Sequence, residues 1–191
     1  MKKIILGALA SLLALNANAA LINIYESNSS INNIAQSLAV IDNASSANTT
    51  VDSDNVFFSD WGHHSAPAFP DGHNNTFVLT ATGMVDTSLY SALKFFHDDG
   101  IDVSLGSNSL YSFNGNTGLR DSGWNMFADT GMESFDLLFW ENGGAASVLV
   151  YGTLRDSGTS EIAKISTVPE PSSIAFLALG LMGLVSARRK A

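Results

Sequence analysis

The sequence predicts a mainly β protein: an antiparallel β-sandwich with one N-terminal amphipathic helix, flanked by a signal helix at its start and a hydrophobic helix at its end. Three observations predict this. From Thr49 onward, short runs rich in Val, Phe, Thr, Tyr and Leu alternate with turn residues. The dipeptides Asp99-Gly100, Asn114-Gly115 and Asn142-Gly143 suit the positive φ of tight turns. Only one stretch of the body repeats its apolar residues at helical spacing.

Taken in order, Met1-Lys2-Lys3 is a basic start and residues 4–15 are apolar, too short a run to span a bilayer comfortably. Ala17-Asn18-Ala19 supplies the small residues signal peptidase needs, so cleavage is expected between Ala19 and Ala20. A permanent N-terminal anchor is the alternative. Leu21-Ile22-Asn23-Ile24-Tyr25 alternates like a half-buried strand. Ile31, Ile34, Ala35, Leu38 and Ile41 form one helical stripe, a packing face, with Ser29 or Ser30 as N-cap. Strands are expected over residues 51–58, 76–83, 92–96, 101–105, 109–113, 132–140 and 145–154. Ser157-Gly158-Thr159-Ser160 opens a polar connection. The resulting division is a signal peptide (1–19), a sandwich (20–156), a linker (157–167) and a terminal segment (168–191).

Charge is distributed unevenly. Lys2, Lys3, Arg188, Arg189 and Lys190 hold five of the nine basic residues, while every acidic residue except Glu170 lies in the body. So acidic a body excludes nucleic acid as a partner, because that binding rests on cations neutralising phosphates. It suits calcium sites made of carboxylates, or plain solubility. The chain has no cysteine, which rules out disulfides, thiolate metal sites and a Cys nucleophile.

The terminal segment reads Val168-Pro169-Glu170-Pro171-Ser172-Ser173, then apolar residues 174–187, then Arg188-Arg189-Lys190. Two prolines keep the approach extended, and three cations resist crossing the membrane. This segment resembles the PEP-CTERM sorting signal of Gram-negative bacteria. The resemblance implies transient residence in the inner membrane through the hydrophobic helix, recognition and tail removal by an exosortase, and release or attachment at the cell surface. In that family such systems accompany exopolysaccharide production. An ordinary C-terminal anchor is the alternative.

Within the body, residues 91–103 combine an aromatic strand, the turn Asp98-Asp99-Gly100 and a second strand. About thirty residues later, Phe135-Asp136-Leu137-Leu138-Phe139-Trp140-Glu141-Asn142-Gly143-Gly144 ends a strand in an aromatic, a Glu and a Gly-rich turn. Together with Gly83, these segments resemble the protective-antigen-type β-sandwich domain over residues 76–152. In its lectin branch, the yeast flocculins and related adhesins, two aspartates joined by a cis peptide and a later Asn hold calcium, which contacts sugar hydroxyls. Carried over, this implies calcium at Asp98, Asp99 and Asn142, with the Gly144 carbonyl as a further oxygen. The flocculins' aromatic platform after the Asn has no counterpart, since residues 143–146 are all small.

Other candidates follow from the residues alone. Asp98, Asp99 and Asp102 lack the spacing and closing Glu of an EF-hand. His63 and His64, with His73 downstream, read as a polar loop, because adjacent side chains on an extended chain point opposite ways. His97 covers the turn. Trp61, Trp124 and Trp140 are candidate sugar-stacking rings. Trp124, in the polar loop Asp121-Ser122-Gly123-Trp124-Asn125, is the best placed, and Trp140 belongs to the core. No catalytic triad, zinc-protease motif or phosphate loop is present, and adjacent aspartates do not flank a glycosidic bond. The expectation is a non-enzymatic, exported surface or matrix protein that binds polysaccharide through calcium, as a biofilm or adhesion component. The alternatives are a structural matrix protein without a ligand site and, third, a glycoside hydrolase.

Overall fold

A computed structural model of the chain describes residues 19–70 and 75–166. The expected signal helix, His73, the sorting motif Pro169-Glu170-Pro171 and the basic tail lie outside those residues. The strands are β1 (Ala20–Glu26), β2 (Thr49–Ser53), β3 (Phe57–Ser59), β4 (Thr76–Asp86), β5 (Tyr90–Asp98) and β6 (Gly100–Leu105). They continue as β7 (Asn108–Phe113), β8 (Arg120–Met126), β9 (Met132–Asn142), β10 (Ser147–Leu154) and β11 (Ser160–Ile162), and among the described residues there is one α-helix, α1 (Ile34–Asn43). One antiparallel sheet runs β2-β1-β4-β9-β6-β7 and the other β11-β10-β5-β8, with β3 also on β10.

Period-two alternation decides what fills the space between the sheets. In β5, Leu93, Phe95 and His97 are fully buried, while Lys94, Phe96 and Asp98 point the other way and stay half-covered. Ile22, Ile24, Phe77, Leu79, Phe135, Phe139, Val148 and Val150 join the same core. Each such side chain contributes roughly 1.5–3 kcal/mol on leaving water. The helix packs on the outer face of the larger sheet, where Ile34, Val40 and Ile41 meet Ile31, Val78 and Trp140.

Several elements differ from the expectations. The run at 51–58 breaks at Asp54-Asn55-Val56, because β2 joins β1 in one sheet while β3 joins β10 in the other. The helix is capped by Asn33, whose Oδ1 accepts from the Gln36 N–H at 3.0 Å, and not by Ser29 or Ser30. Ile31 precedes the helix, its N–H donating to Asn142 Oδ1 at 2.7 Å. The packing face turns accordingly: Leu38 is exposed and Ser37 is buried, its hydroxyl donating to the Asn33 carbonyl. Residues 120–126 form an edge strand and not a loop. The expected linker is part of the fold, since β11 pairs with β10, Ala163 and Ile165 are fully buried, and Ser166 bridges Met84. The sandwich therefore continues past residue 156 to Ser166. Of the three Gly dipeptides, only Asn142-Gly143 has its glycine at positive φ, 120°.

Candidate metal centre

β5 belongs to one sheet and β6 to the other, so the single residue between them, Asp99, carries the chain across the sandwich. Asp98 pairs with Ser147 in the smaller sheet and Gly100 with Trp140 in the larger. The Asp98–Asp99 peptide is cis. Gly100 is needed here for close approach and not for positive φ: a Cβ would lie 1.9 Å from Trp140 Cζ2, inside a fully buried ring.

The crossing is fixed by hydrogen bonds. Asp99 Oδ1 accepts from the Thr117 N–H and Oδ2 from the Asn142 N–H, both at 2.8 Å. His97 Nδ1 lies 2.6 Å from the Asp99 carbonyl oxygen. A carbonyl only accepts, so Nδ1 bears the hydrogen and Nε2 accepts from the Tyr111 hydroxyl at 3.1 Å. Burial lowers the His97 pKa, as does the Arg120 charge, against the opposing Asp99 hydrogen bond. His97 is thus a buried, neutral prop beneath the turn and not a cover over it.

Glu141 completes the cluster. Alternation puts it on the inward side of β9 with Phe135, Leu137 and Phe139, but at the rim, where the core gives way to the Asp doublet. Its Oε1 accepts from the Gly143 N–H at 3.0 Å, and its buried Oε2 has no hydrogen-bond partner among the described residues. Ligand oxygens of Asp98, Asp99 and Glu141 lie within 4.8 Å of one another. Burial first, then the Asp99 and Asp98 charges, push the Glu141 carboxyl up to about 8. Burial and Asp99 raise Asp98 to about 6, with His63 acting in the opposite direction.

A hard cation takes six to eight oxygens at about 2.3–2.6 Å, so oxygens sharing one ion stand within about 5 Å of each other. The three carboxylates meet that spacing, supply only oxygen, and include one buried oxygen that has no hydrogen-bond partner among the described residues. The donor set fits calcium.

The other sequence candidates are distributed around this point. Asn142 adjoins the doublet through its backbone, but its side-chain oxygen faces Ile31. Trp140 is fully buried, its Nε1–H donating to Asn116 Oδ1 at 3.1 Å. Trp124 pairs with Lys94, four positions along β5 from Asp98 and so roughly 13 Å away. The Lys94 Nζ stands 5.5 Å from the Trp124 ring centroid. His63 and His64 do diverge, the first towards Trp61 and the second onto Phe96 and Tyr151. Glu141 was not singled out as a ligand from the sequence, although a charged residue at inward parity near a strand's end was a signal for it.

Solved structures resemble this arrangement. The PA14 domain of the MpAFP antifreeze protein matches with a TM-score of 0.65 at 19% identity, covering 81% of this chain and 93% of that one. The PA14 sugar-binding domain from an RTX adhesin gives 0.62 at 19% identity, over 79% and 99%. The epithelial adhesin 6 A domain from Candida glabrata, in complex with Galβ1-3GlcNAc, gives 0.56 at 8%, over 84% and 91%. The body therefore has the protective-antigen-type, or PA14, β-sandwich fold.

Residues 167–190 match the PEP-CTERM protein-sorting motif. The chain thus carries at its C-terminus a signal that marks export and exosortase-directed sorting to the surface or exterior of a Gram-negative cell. No curated protein matches the chain.

Proposed function

We propose that the mature protein is a surface or matrix carbohydrate-binding module, a biofilm or adhesion component, that holds polysaccharide through calcium at Asp98, Asp99 and Glu141. The observation that carries this is the unpartnered, buried Glu141 oxygen aimed into a group of carboxylates. Burial holds that carboxyl up at about 8, and a cation offsets the cost of ionising it there. Asp99 is oriented by the Thr117 and Asn142 amides, and Asp98 and Glu141 close around it. Asn142 lies one position on from the inward Glu141 and its Oδ1 accepts from Ile31, so in this reading it serves the site through its backbone N–H on Asp99 and Glu141 takes its place as the third ligand. Calcium, when bound, supplies open coordination positions for vicinal sugar hydroxyls. The sugar-binding titles of the RTX adhesin domain and the Candida adhesin complex support this reading.

One observation favours a second reading, a structural matrix protein without a ligand. Both Asp99 oxygens already accept backbone hydrogen bonds, so the doublet serves as a sheet crossing even without an ion. Calorimetric titration of calcium into chelator-treated protein separates the two. Wild type is expected to show one site and Asp98→Ala to lose about tenfold or more in affinity; equal affinity in the two proteins removes the site. A glycan array with and without chelator then tests the sugar, and chelator-sensitive binding is the expected result.

A further inference from the structure

The carboxylate cluster supplies charge and coordination, but a pyranose also presents an apolar face. Such faces pack on aromatic rings, and the loop at residues 143–146 offers none. A ring does stand beside that loop, from another part of the chain. Trp61 is 67% exposed, an unusual state for a side chain that normally buries most of its area. It is nonetheless held in place: its Nε1–H donates to the Ala145 carbonyl at 2.8 Å.

The segment carrying it is fastened to the same loop. The Asp60 N–H donates to the Ala146 carbonyl at 3.0 Å, and the Ala146 N–H returns a bond to Asp60 Oδ2 at 3.2 Å. The Ser59 and Ser147 hydroxyls meet at 2.8 Å in a buried contact. Ser147 pairs with Asp98 on one side and Ser59 on the other. Two strand spacings, about 10 Å, therefore separate Asp98 from the start of the Trp61 segment. The residues bridging that distance are Gly143, Gly144, Ala145 and Ala146, whose side chains are no larger than a methyl. His63 stacks beside Trp61, with its ring centroid 6.4 Å from that of the indole.

We propose that Trp61 is the stacking platform for the pyranose held at the carboxylate cluster, with the small residues of 143–146 leaving room for the ring between them. This rests on the carbohydrate reading above and adds the sugar's orientation. Vicinal hydroxyls face Asp98, Asp99 and Glu141, and a face carrying only C–H groups lies on the indole. The favoured ligands are pyranosides with one such face. Trp124, on the opposite edge of β5, takes no part.

The test titrates methyl glycosides of galactose, glucose, mannose and fucose into calcium-loaded protein, followed by calorimetry and tryptophan fluorescence. At least one is expected to bind wild type and shift its emission. Trp61→Ala is expected to lose about tenfold or more in sugar affinity, together with the emission shift, while keeping calcium affinity within about twofold. Trp61→Phe, which keeps a ring, is expected to recover most of the loss. Sugar binding that Trp61→Ala leaves unchanged, or that falls with Trp124→Ala instead, overturns this inference and spares the carbohydrate reading. No binding of any glycoside by calcium-loaded wild type overturns both.

Discussion

β5 is joined to the other sheet at both of its ends, and the two crossings are built in opposite ways. Where β4 passes to β5, Thr87 is buried, its hydroxyl donating to the Gly131 carbonyl at 2.7 Å and accepting from the Thr130 N–H at 2.8 Å. Arg155 donates there to the carbonyls of Thr87, Tyr90 and Phe127. Where β5 passes to β6, the polar groups are three carboxylates with a buried oxygen left over. The first crossing is complete within the protein. The second leaves one buried carboxyl oxygen of Glu141 without a hydrogen-bond partner among the described residues. Buried polar groups are almost always paired, so the exception is where the proposed site falls and the paired end is a joint.

The comparison breaks first at Gly100. Gly100→Ala drives a methyl into the buried Trp140 ring and is expected to cost about 3 kcal/mol or more, read as a loss of Tm with and without calcium. Next is Arg155→Ala, which strips donors from three carbonyls and is expected to cost about 2 kcal/mol. Its calcium-dependent rise in Tm should survive, because the altered joint lies at the opposite end of β5. A calcium response lost in this variant would mean that the two ends are coupled.

Glu141→Gln should act with the other sign. Removing the carboxylate relieves repulsion by Asp99 and Asp98, so the calcium-free protein is expected to gain about 1 kcal/mol at pH 8 while its calcium response disappears. The smallest effect is the pH dependence without metal. Glu141 rises from 4.5 to about 8 and Asp98 from 3.8 to about 6. Groups raised in the folded state contribute stability that is full below their unfolded values and is lost as pH climbs through the folded ones. Chelated protein should therefore lose Tm between about pH 4 and pH 8, most steeply below pH 6 where both groups contribute and through Glu141 alone above it, and calcium should flatten that slope. A chelated Tm that is level or rising across this range would contradict the buried, crowded state of the cluster.

Strands with a buried face were legible from alternation, and so was the doublet, because Asp-Asp-Gly between two apolar runs marks a turn. β8 was not. Its residues, Arg120 to Met126, lie at a sheet edge with most side chains exposed, so no apolar period distinguishes them from a loop. β11 is only three residues long. Glu141 was partly legible, since the parity of Phe135, Leu137 and Phe139 already turned it inward. That it meets Asp98 and Asp99 depends on pairing between β6 and β9, which sequence distance hides. Trp61 was visible as a candidate ring, but its link to Ala145 joins residues 84 apart.

Gly83 has a consequence for how the molecule is held. Its open side is occupied from both directions: a Cβ there would stand 2.6 Å from Ile165 Cγ2 and from the Ser166 carbonyl, and 3.5 Å from Ala20 Cα. The polypeptide thus enters and leaves the sandwich at a single spot, seven residues along β4 from Thr76, whose partner is Asn142. At about 3.3 Å per residue, that is some 23 Å from the acidic rim. The match to the sorting motif starts at the very next position, residue 167. Both ends of the described chain therefore lie far from the acidic rim, and whatever continues from either of them starts well away from Asp98, Asp99 and Glu141.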